Sequence, residues 1–340
     1  MHSPQLRIGW ASAAIAVSLS AAVAGCGESA SSPDTDWREA FDAQDDGWLL
    51  STWGTERNSR YAVGGTLERG VILHFDGHGW RHEDISRNTP LLNWVHGFGE
   101  DNLIAVGNNG AILRFDGTEW RTEDSPTGEN LWGVWGAKPS ALWAVGGSGR
   151  PGASPTLLFF DGSEWTEQAL PRLKRDDIYS LFKVWGTSKD NVFVAGQKGT
   201  FLHYDGKGWS QVELGATDDL IAIWGTGPDD VVVVGGRGTG LLSHYDGKRW
   251  ATQSLFGLPG INGVWMRTPG VAHLAMAGGT LAKWTLGEDQ PEHESFSDSL
   301  DFHGVFGVDG QVTAVGGNFE AFGATGLQGI AYERNLAPGE

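Results

Sequence analysis

The sequence is poor in cysteine and in basic residues. Cys26 is the only cysteine among 340 residues, which excludes an internal disulfide and a metal centre built from several thiolates. Lysine and arginine number 24 against 42 aspartates and glutamates, and the formal net charge is −18. Because binding to phosphates needs clusters of lysine and arginine, this balance argues against a nucleic acid partner. We expect no metal and no other cofactor.

Helical patterning and catalytic motifs are also lacking. No segment shows sustained helical periodicity, so TIM-barrel and doubly wound folds, which need long crossover helices, are excluded. The sequence contains no G-x-S-x-G, H-E-x-x-H or Walker-type pattern. We therefore expect a protein that is not an enzyme. A pair of catalytic carboxylates stays open as an alternative, because 42 acidic residues form many accidental pairs.

Glycine and tryptophan, in contrast, are abundant. The 52 glycines are about 15% of the 340 residues (52/340), roughly twice the usual ~7%, and 17 residues are tryptophan. Hydrophobic residues make up 40% of the chain, which is enough for a sizeable core and excludes wholesale disorder. This composition indicates a folded protein with many turns.

The first 25 residues predict an export signal. Arg7 is the only charged side chain among them, and an apolar stretch runs from about Ile8 to Gly25. A basic start, an apolar run and small residues at its end are typical of a secretory signal peptide.

The four residues VAGC, which end at Cys26, resemble the lipobox of bacterial lipoproteins. In that family the cysteine is acylated and becomes the new N-terminus. The resemblance implies a signal peptide over 1–25, then a lipidated Cys26 and a flexible tether over 26–35. It also implies export to the bacterial cell envelope, and Gly27 after the cysteine favours the outer membrane.

One pattern recurs seven times from residue 37 onward. Its first half reads V-W-G followed by A-V-G, and its second half reads F-D-G-x-x-W. The V-W-G position is held by Trp53, His96, Trp135, Trp185, Trp224, Trp265 and Phe306, at spacings of 43, 39, 50, 39, 41 and 41 residues. A period near 40–45 residues with short alternating strands and glycine-rich turns is typical of β-propeller blades.

We therefore predict an all-β fold: a seven-bladed β-propeller over residues 36–335, with four antiparallel strands in each blade. A C-terminal tail follows over 336–340. The last repeat, 301–335, supplies only three strands, so its fourth strand must come from elsewhere.

The missing strand is predicted at the start of the propeller. The segment DWREAF at 36–41 resembles the outer strand of other repeats, and Trp37 occupies the tryptophan position. The N-terminal strand should close the last blade, with Trp37 near Tyr332, and remove the open sheet edges that invite aggregation. We expect deletion of residues 36–42 to give an aggregated or unfolded protein.

The repeats resemble known propeller families. The D-G-x-x-W copies resemble Asp-box (BNR) repeats, although those have one residue between Asp and Gly. The whole unit resembles WD40/YVTN-like or BNR-like propellers of secreted and lipid-anchored envelope proteins of some Gram-negative bacteria. This resemblance covers nearly all of 36–335. It implies a fold that hosts lectins, hydrolases, scaffolds and assembly factors alike.

Two repeated residue types are predicted to build the blades. A short carboxylate can accept hydrogen bonds from the backbone of its own turn, and the following glycine tolerates positive φ. The aspartates concerned are Asp76, Asp116, Asp161, Asp205 and Asp246. The tryptophan four residues later starts the outer strand and can pack onto the blade. These tryptophans, with their N-terminal counterpart, are Trp37, Trp80, Trp120, Trp165, Trp209 and Trp250. A ring of carbohydrate-stacking tryptophans is the alternative.

The candidate binding face carries the connections between the second and third strands of each blade and between successive blades. These connections vary in length, and variable loops commonly carry function. Blade 3 has the longest insertions. The candidate residues on this face are Arg69, Arg150, Arg172, Lys174, Arg175, Arg237, Phe319 and Phe322. They indicate a surface for an acidic protein or an anionic glycan, with solvated loop charges as the alternative.

Together these observations predict a lipid-anchored, monomeric envelope propeller that acts as a non-enzymatic binding or scaffold module. Its partner would be an envelope protein or a glycan, and its membrane contact would be the lipid anchor. A glycan-binding lectin and a sialidase-like glycoside hydrolase are the alternatives.

Overall fold

Residues 36–296, 300–318 and 326–337 are described by the computed structural model, and they form the predicted seven-bladed β-propeller. Seven sheets of four antiparallel strands are present in these residues, and each sheet is one blade. We call the strands of a blade A to D from the innermost outward. Strands A of neighbouring blades contact one another and surround the central axis. Cys26 lies outside the described residues.

The first three blades contain, in order A to D, β2 (Trp48–Glu56), β3 (Ser59–Gly65), β4 (Gly70–Phe75) and β5 (Trp80–His82); β6 (Leu92–Gly99), β7 (Asn102–Gly107), β8 (Ile112–Phe115) and β9 (Trp120–Thr122); and β10 (Leu131–Lys138), β11 (Ala141–Gly146), β12 (Thr156–Phe160) and β13 (Trp165–Glu167). Short 3₁₀ turns at Asn108–Gly110 and Gln197–Gly199 join strands B and C of blades 2 and 4.

The next three blades contain β14 (Leu181–Ser188), β15 (Asn191–Gly196), β16 (Phe201–Tyr204) and β17 (Trp209–Gln211); β18 (Leu220–Gly227), β19 (Asp230–Gly235), β20 (Gly240–Tyr245) and β21 (Trp250–Leu255); and β22 (Ile261–Met266), β23 (Val271–Met276), β24 (Thr280–Thr285) and β25 (Glu292–Ser295). Blade 7 contains β26 (Asp301–Val308), β27 (Gln311–Gly317), β28 (Gly329–Asn335) and β1 (Arg38–Glu39). Among the described residues, no helix is long and apolar enough to cross a bilayer.

Blade 7 is completed by the N-terminal strand, as predicted. Strand β1 pairs with β28, with Arg38 opposite Glu333 and Glu39 opposite Tyr332. The Glu333 carboxylate accepts hydrogen bonds from Arg38 at 2.9 Å and from Arg60 of blade 1 at 2.8 Å. The latch, by which we mean Arg38, Arg60 and Glu333, therefore ties together the N-terminal strand and the first and last blades.

The V-W-G aromatics pack between blades, and the glycine that follows the aromatic in most blades leaves room for the ring of the preceding blade. In most blades the ring lies over the glycine of the next blade: a Cβ added to Gly97 would stand 2.4 Å from Trp53, and one added to Gly307 would stand 2.3 Å from Trp265. The seven residues at this position form a ring around the axis that we call the aromatic collar: Trp53, His96, Trp135, Trp185, Trp224, Trp265 and Phe306.

Blade 6 breaks the rule, because Met266 stands where other blades have glycine. The Trp224 ring instead donates its Nε1 proton to the Met266 carbonyl at 3.0 Å. Its ring contacts Phe306, two blades further on, at a centroid separation of 5.7 Å. The collar therefore narrows the central channel with aromatic side chains.

The five F-D-G-x-x-W aspartates lie in C–D turns and bind the backbone of those turns. Asp205, for example, accepts hydrogen bonds from the N–H groups of Lys207 and Gly208 at 2.9 and 3.0 Å, and Gly206 after it has φ +87°. Each C–D turn packs beside the A–B turn of its own blade, as Gly206 does beside Asp190. We call the face that carries these turns the turn face, and the opposite face, with the B–C and D–A connections, the loop face.

The tryptophans that start the D strands pack onto the strand C aromatic of the same blade. Ring centroids lie 5.2 Å apart for Tyr245 and Trp250, and 5.3 Å apart for Phe115 and Trp120. Several of these tryptophans also contact the preceding blade, as Trp209 does with Trp143 at 5.0 Å. Because the five rings from Trp80 to Trp250 are buried or half-buried, they offer no open shelf for sugars.

Candidate functional site

Strand A carries a β-bulge near its start in every blade. The pairing register between strands A and B skips one residue there, for example between Leu49 and Ser51 in blade 1 and between Phe302 and Gly304 in blade 7. A bulge leaves one residue out of the ladder and re-aims its side chain. The unpaired residues are Leu50, Asn93, Trp132, Phe182, Ile221, Asn262 and His303.

These seven bulge residues differ from blade to blade, whereas the aromatic collar three positions later is nearly uniform. Four of them, Leu50, Trp132, Asn262 and His303, line one large cavity. The repeat therefore does not fix the identity of the bulge residue, and four of the seven bulge residues reach a site that a ligand could occupy.

This cavity is the central funnel of the loop face. It has a volume of ≈ 1050 Å³ and is lined by residues from six of the seven blades, mostly from the starts of A strands and from B–C loops. This volume is slightly above the range of about 300–1,000 Å³ that is typical of ligand pockets. Below it, the channel narrows at the aromatic collar, so the funnel opens toward the loop face.

Polar bulge residues are held by bonds to the next blade. The Asn93 amide donates to the Leu131 carbonyl at 2.9 Å, and the Asn262 amide donates to the Phe302 carbonyl at 3.0 Å. His303 Nδ1 lies 2.8 Å from the Leu50 carbonyl. These bonds fix the side chains around the funnel in one arrangement.

The funnel mouth combines an apolar wall with charged residues. Trp48, Leu50 and Leu91 are buried in that wall, and Leu67 beside them is 46% exposed. Two large hydrophobic side chains of the described residues are exposed, Leu67 and Phe256, and both lie in connections of the loop face. Exposed apolar groups beside a concave site are a common mark of protein contact.

Charges of both signs surround the mouth. Arg150 and Arg237 line it together with the acidic residues Glu129 and Asp301. The Arg237 guanidinium donates to Asp219 at 2.8 Å and lies over the Phe182 ring. Arg150 makes no ion pair with a described residue. The Asp301 carboxylate accepts a bond from the Gly278 N–H at 2.7 Å.

A buried lysine lies under the funnel. The Lys183 side chain of blade 4 is almost wholly buried, its Nζ lies 3.1 Å from the centre of the Trp94 ring, and it donates to the Trp132 carbonyl at 3.3 Å. Burial lowers the pKa of the Lys183 amine well below its ordinary value.

The two histidines on the axis are held neutral. Burial, together with the positive charges of Lys183 and Arg237, lowers the pKa of His303 to about 4, although its contact with the Leu50 carbonyl acts in the opposite direction. Burial also lowers the pKa of His96, in the collar, to about 4, although its Nε2 contact with the Gly136 carbonyl acts in the opposite direction.

The structure separates the sequence-predicted binding residues into three groups. Arg150 and Arg237 line the funnel. Arg69 lies apart from them and lines a smaller cavity of ≈ 420 Å³ at the rim of blade 1. Phe319 and Phe322 lie outside the described residues.

The third group, Arg172, Lys174 and Arg175, occupies the connection from blade 3 to blade 4 and does not line the funnel. Arg175 binds Asp177 through two bonds of 2.8 Å, and Lys174 Nζ lies 2.8 Å from Glu213. Local carboxylates thus neutralise most of this basic cluster.

Sequence reasoning missed the bulge ring, although the repeat alignment contains a signal for it. Bulge residues are the positions three before the V-W-G aromatic, where the seven copies carry six different residue types, directly after a position that is apolar in every copy. A variable position on an otherwise regular inner strand could have been read as a site. Lys183 gave no such signal, because its burial depends on Trp94, two blades away.

The sequence matches no protein-family model and no curated protein. Among solved structures, it is similar to "YCF48 bound to D1 peptide", with a TM-score of 0.63 and 15% identity over 89% of this chain and 97% of that one. YCF48 from Cyanidioschyzon merolae gives a TM-score of 0.65 at 14% identity over 88% and 98% of the two chains. The WD40 repeats of RRP9 give 0.68 at 10% identity over 89% and 98%. At these identities the similarity shows the fold: a propeller with WD40-like structural neighbours.

Proposed function

We propose that this protein is a non-enzymatic binding module whose funnel receives a segment of a partner protein. The observation that carries the proposal is the ring of bulge residues: at one position of an otherwise regular repeat the seven blades present six different side-chain types, and four of the seven residues line the funnel. Exposed Leu67 and Phe256 on the same face, and the unpaired Arg150 at the mouth, support protein contact. The similar propeller YCF48 was solved with a bound peptide.

The test compares capture of partners by funnel variants and by a matched control. Leu67→Glu and Arg150→Glu, combined, place two negative charges at the funnel mouth. Lys207→Glu makes the same charge change as Arg150→Glu at an exposed position in a C–D turn of the turn face. Each variant is immobilised, and proteins captured after chemical crosslinking in cell-envelope extracts are quantified.

Proteins that bind through the funnel should fall at least tenfold with the double variant and remain unchanged with Lys207→Glu. A captured set that is identical for all three forms, each with an unchanged melting temperature, would rule out the funnel as the docking site.

We also propose that the chain is anchored in the bacterial envelope, with the outer membrane favoured, through acylation of Cys26. The support is the lipobox resemblance of VAGC and the position of the only cysteine after an apolar run. Metabolic labelling with a fatty acid analogue should mark the wild-type chain, and Cys26→Ser should abolish the label and release the protein from membranes. Labelling that survives Cys26→Ser would contradict the anchor without touching the binding proposal.

A further inference from the structure

Basic side chains from three blades meet at the funnel in a protein of net charge −18. Arg237 and His303 line the wall, and the Lys183 ammonium bonds to the carbonyl of Trp132, which also lines it. These groups come from blades 5, 7 and 4. The acidic residues of the cavity are Glu129 and Asp301, and Asp301 already binds the Gly278 backbone. Arg237 already pairs with Asp219 through its Nε.

Lys183 is buried without a counter-ion. Among the described residues no carboxylate pairs with it, and its printed contacts are one carbonyl and one ring face. Burying an ammonium group without a paired charge is unfavourable, and such groups concentrate at functional sites. The other six blades have an uncharged residue at the equivalent strand position, such as Ser51 in blade 1 and Ala222 in blade 5, so the propeller itself does not need a charge there.

The pKa of His303 is affected by two of these basic groups. After burial, the charges of Lys183 and Arg237 are the main reason that its ring resists protonation. Basic groups in a partly desolvated concave site attract anions more strongly than the same groups would in water, and an anion that arrives favours their charged forms.

We propose that the funnel contains a carboxylate-binding subsite formed by Arg237 and His303 on its wall and Lys183 beneath them, and that it receives a carboxylate of the bound peptide. This inference rests on the proposed function. The Nε of Arg237 already donates to Asp219, and its two terminal nitrogens are offered to the carboxylate. His303 and Lys183 become cationic donors once the anion arrives, because a nearby negative charge favours their protonated forms.

The probes are small and matched. N-acetyl-leucine has a free α-carboxylate and mimics a chain terminus, and N-acetyl-leucinamide lacks that charge. The α-amide of N-acetyl-aspartate keeps its side-chain carboxylate and mimics an acidic side chain. Each is titrated against the full chain at constant ionic strength, with tryptophan fluorescence and the NMR titration of His303 as readouts. Sodium chloride and inorganic phosphate serve as non-carboxylate anions.

At least one carboxylate probe should bind at least tenfold more tightly than N-acetyl-leucinamide and should raise the pKa of His303. Preference between the two carboxylates tells a chain terminus from an acidic side chain. Lys183→Met, which keeps the apolar stem, should weaken carboxylate binding at least tenfold and raise the melting temperature of the ligand-free chain. Lys189→Met, at the exposed A–B turn of the same blade, should leave binding unchanged.

Equal binding of the amide, equal binding to the Lys183→Met variant, or binding of phosphate alone would overturn the subsite. These results are separable from the docking test. A chain that binds N-acetyl-leucine but captures no funnel-dependent protein keeps the subsite and loses the proposed function; the reverse pattern removes only the subsite.

Discussion

At the scale of single residues, the repeat is explained by two contacts. A collar aromatic needs a glycine in the next blade because there is no room for a Cβ under its ring, as at Gly97 and Gly307. The turn aspartates satisfy N–H groups in their own turns, and those hydrogen bonds lower the pKa of carboxyls such as Asp76 and Asp205. Both residue types are repeated because every blade has the same geometry.

We predict that Gly97→Ala lowers the free energy of unfolding by about 1–3 kcal/mol, the usual range for overpacking. Its Cβ would meet the Trp53 ring, which is held between blades and cannot withdraw freely. Gly208→Ala is the matched control, because nothing lies within 4 Å of its added Cβ. Urea unfolding measures both; equal effects of the two substitutions would refute the contact between ring and glycine.

The axial histidines predict a pH dependence between pH 6.5 and 4. Their pKa is about 4 in the folded protein, against an ordinary 6.5, so the unfolded chain takes up protons in this window that the folded chain does not. The free energy of unfolding should therefore decrease as the pH is lowered from 6.5 to 4, by roughly 1–3 kcal/mol per histidine. Above pH 6.5 these histidines should cause no change.

His96→Phe tests the assignment, since Phe306 occupies the same position in blade 7. Urea unfolding midpoints at pH 7.5 and 4.5 should differ less for this variant than for the wild type. An unchanged difference would mean that His96 does not titrate in this way.

At the scale of elements, the prediction from sequence was most successful where the repeat was most regular. Strand order, seven blades and closure by the N-terminal strand followed from the spacing of V-W-G and F-D-G-x-x-W, because each is a local turn or packing rule. The residues that form the funnel could not be predicted from the sequence in the same way. Its charges come from loops and bulges of different blades, and the ion pairs that occupy Arg175 and Lys174 depend on how those loops fold.

The latch supplies the prediction at this scale. Glu333→Gln leaves the guanidinium of Arg60, whose residue is 4% exposed, without its carboxylate, and should cost about 3–5 kcal/mol in the free energy of unfolding. Arg38→Gln removes the outer partner, which is 64% exposed, and should cost about 1 kcal/mol or less. Chemical denaturation of both variants is the measurement; similar losses would show that the buried ion pair does not dominate closure.

At the scale of the whole molecule, the ring is closed by a blade that both chain ends share. Strand β1 lies against β28, so the two ends of the propeller can be joined by a short hairpin turn. New ends can then be opened elsewhere. An opening between strands C and D of one blade preserves a shared blade, whereas an opening between blades does not.

We predict that the two kinds of circular permutant differ in stability. An opening between Gly206 and Lys207 makes blade 4 the shared blade and should keep a melting temperature close to that of the joined ring. An opening between Ala216 and Thr217 leaves closure to side-chain contacts alone and should lower the melting temperature by several degrees. Equal melting temperatures would show that a shared blade contributes nothing to closure.

The bulge in strand A lets different residues of one strand serve folding and recognition. Because this one position is left out of the ladder, each copy can mutate there while the scaffold around it stays intact. Randomising just the codons of the four bulge residues that line the funnel, Leu50, Trp132, Asn262 and His303, should therefore yield many folded chains that differ in what they recognise.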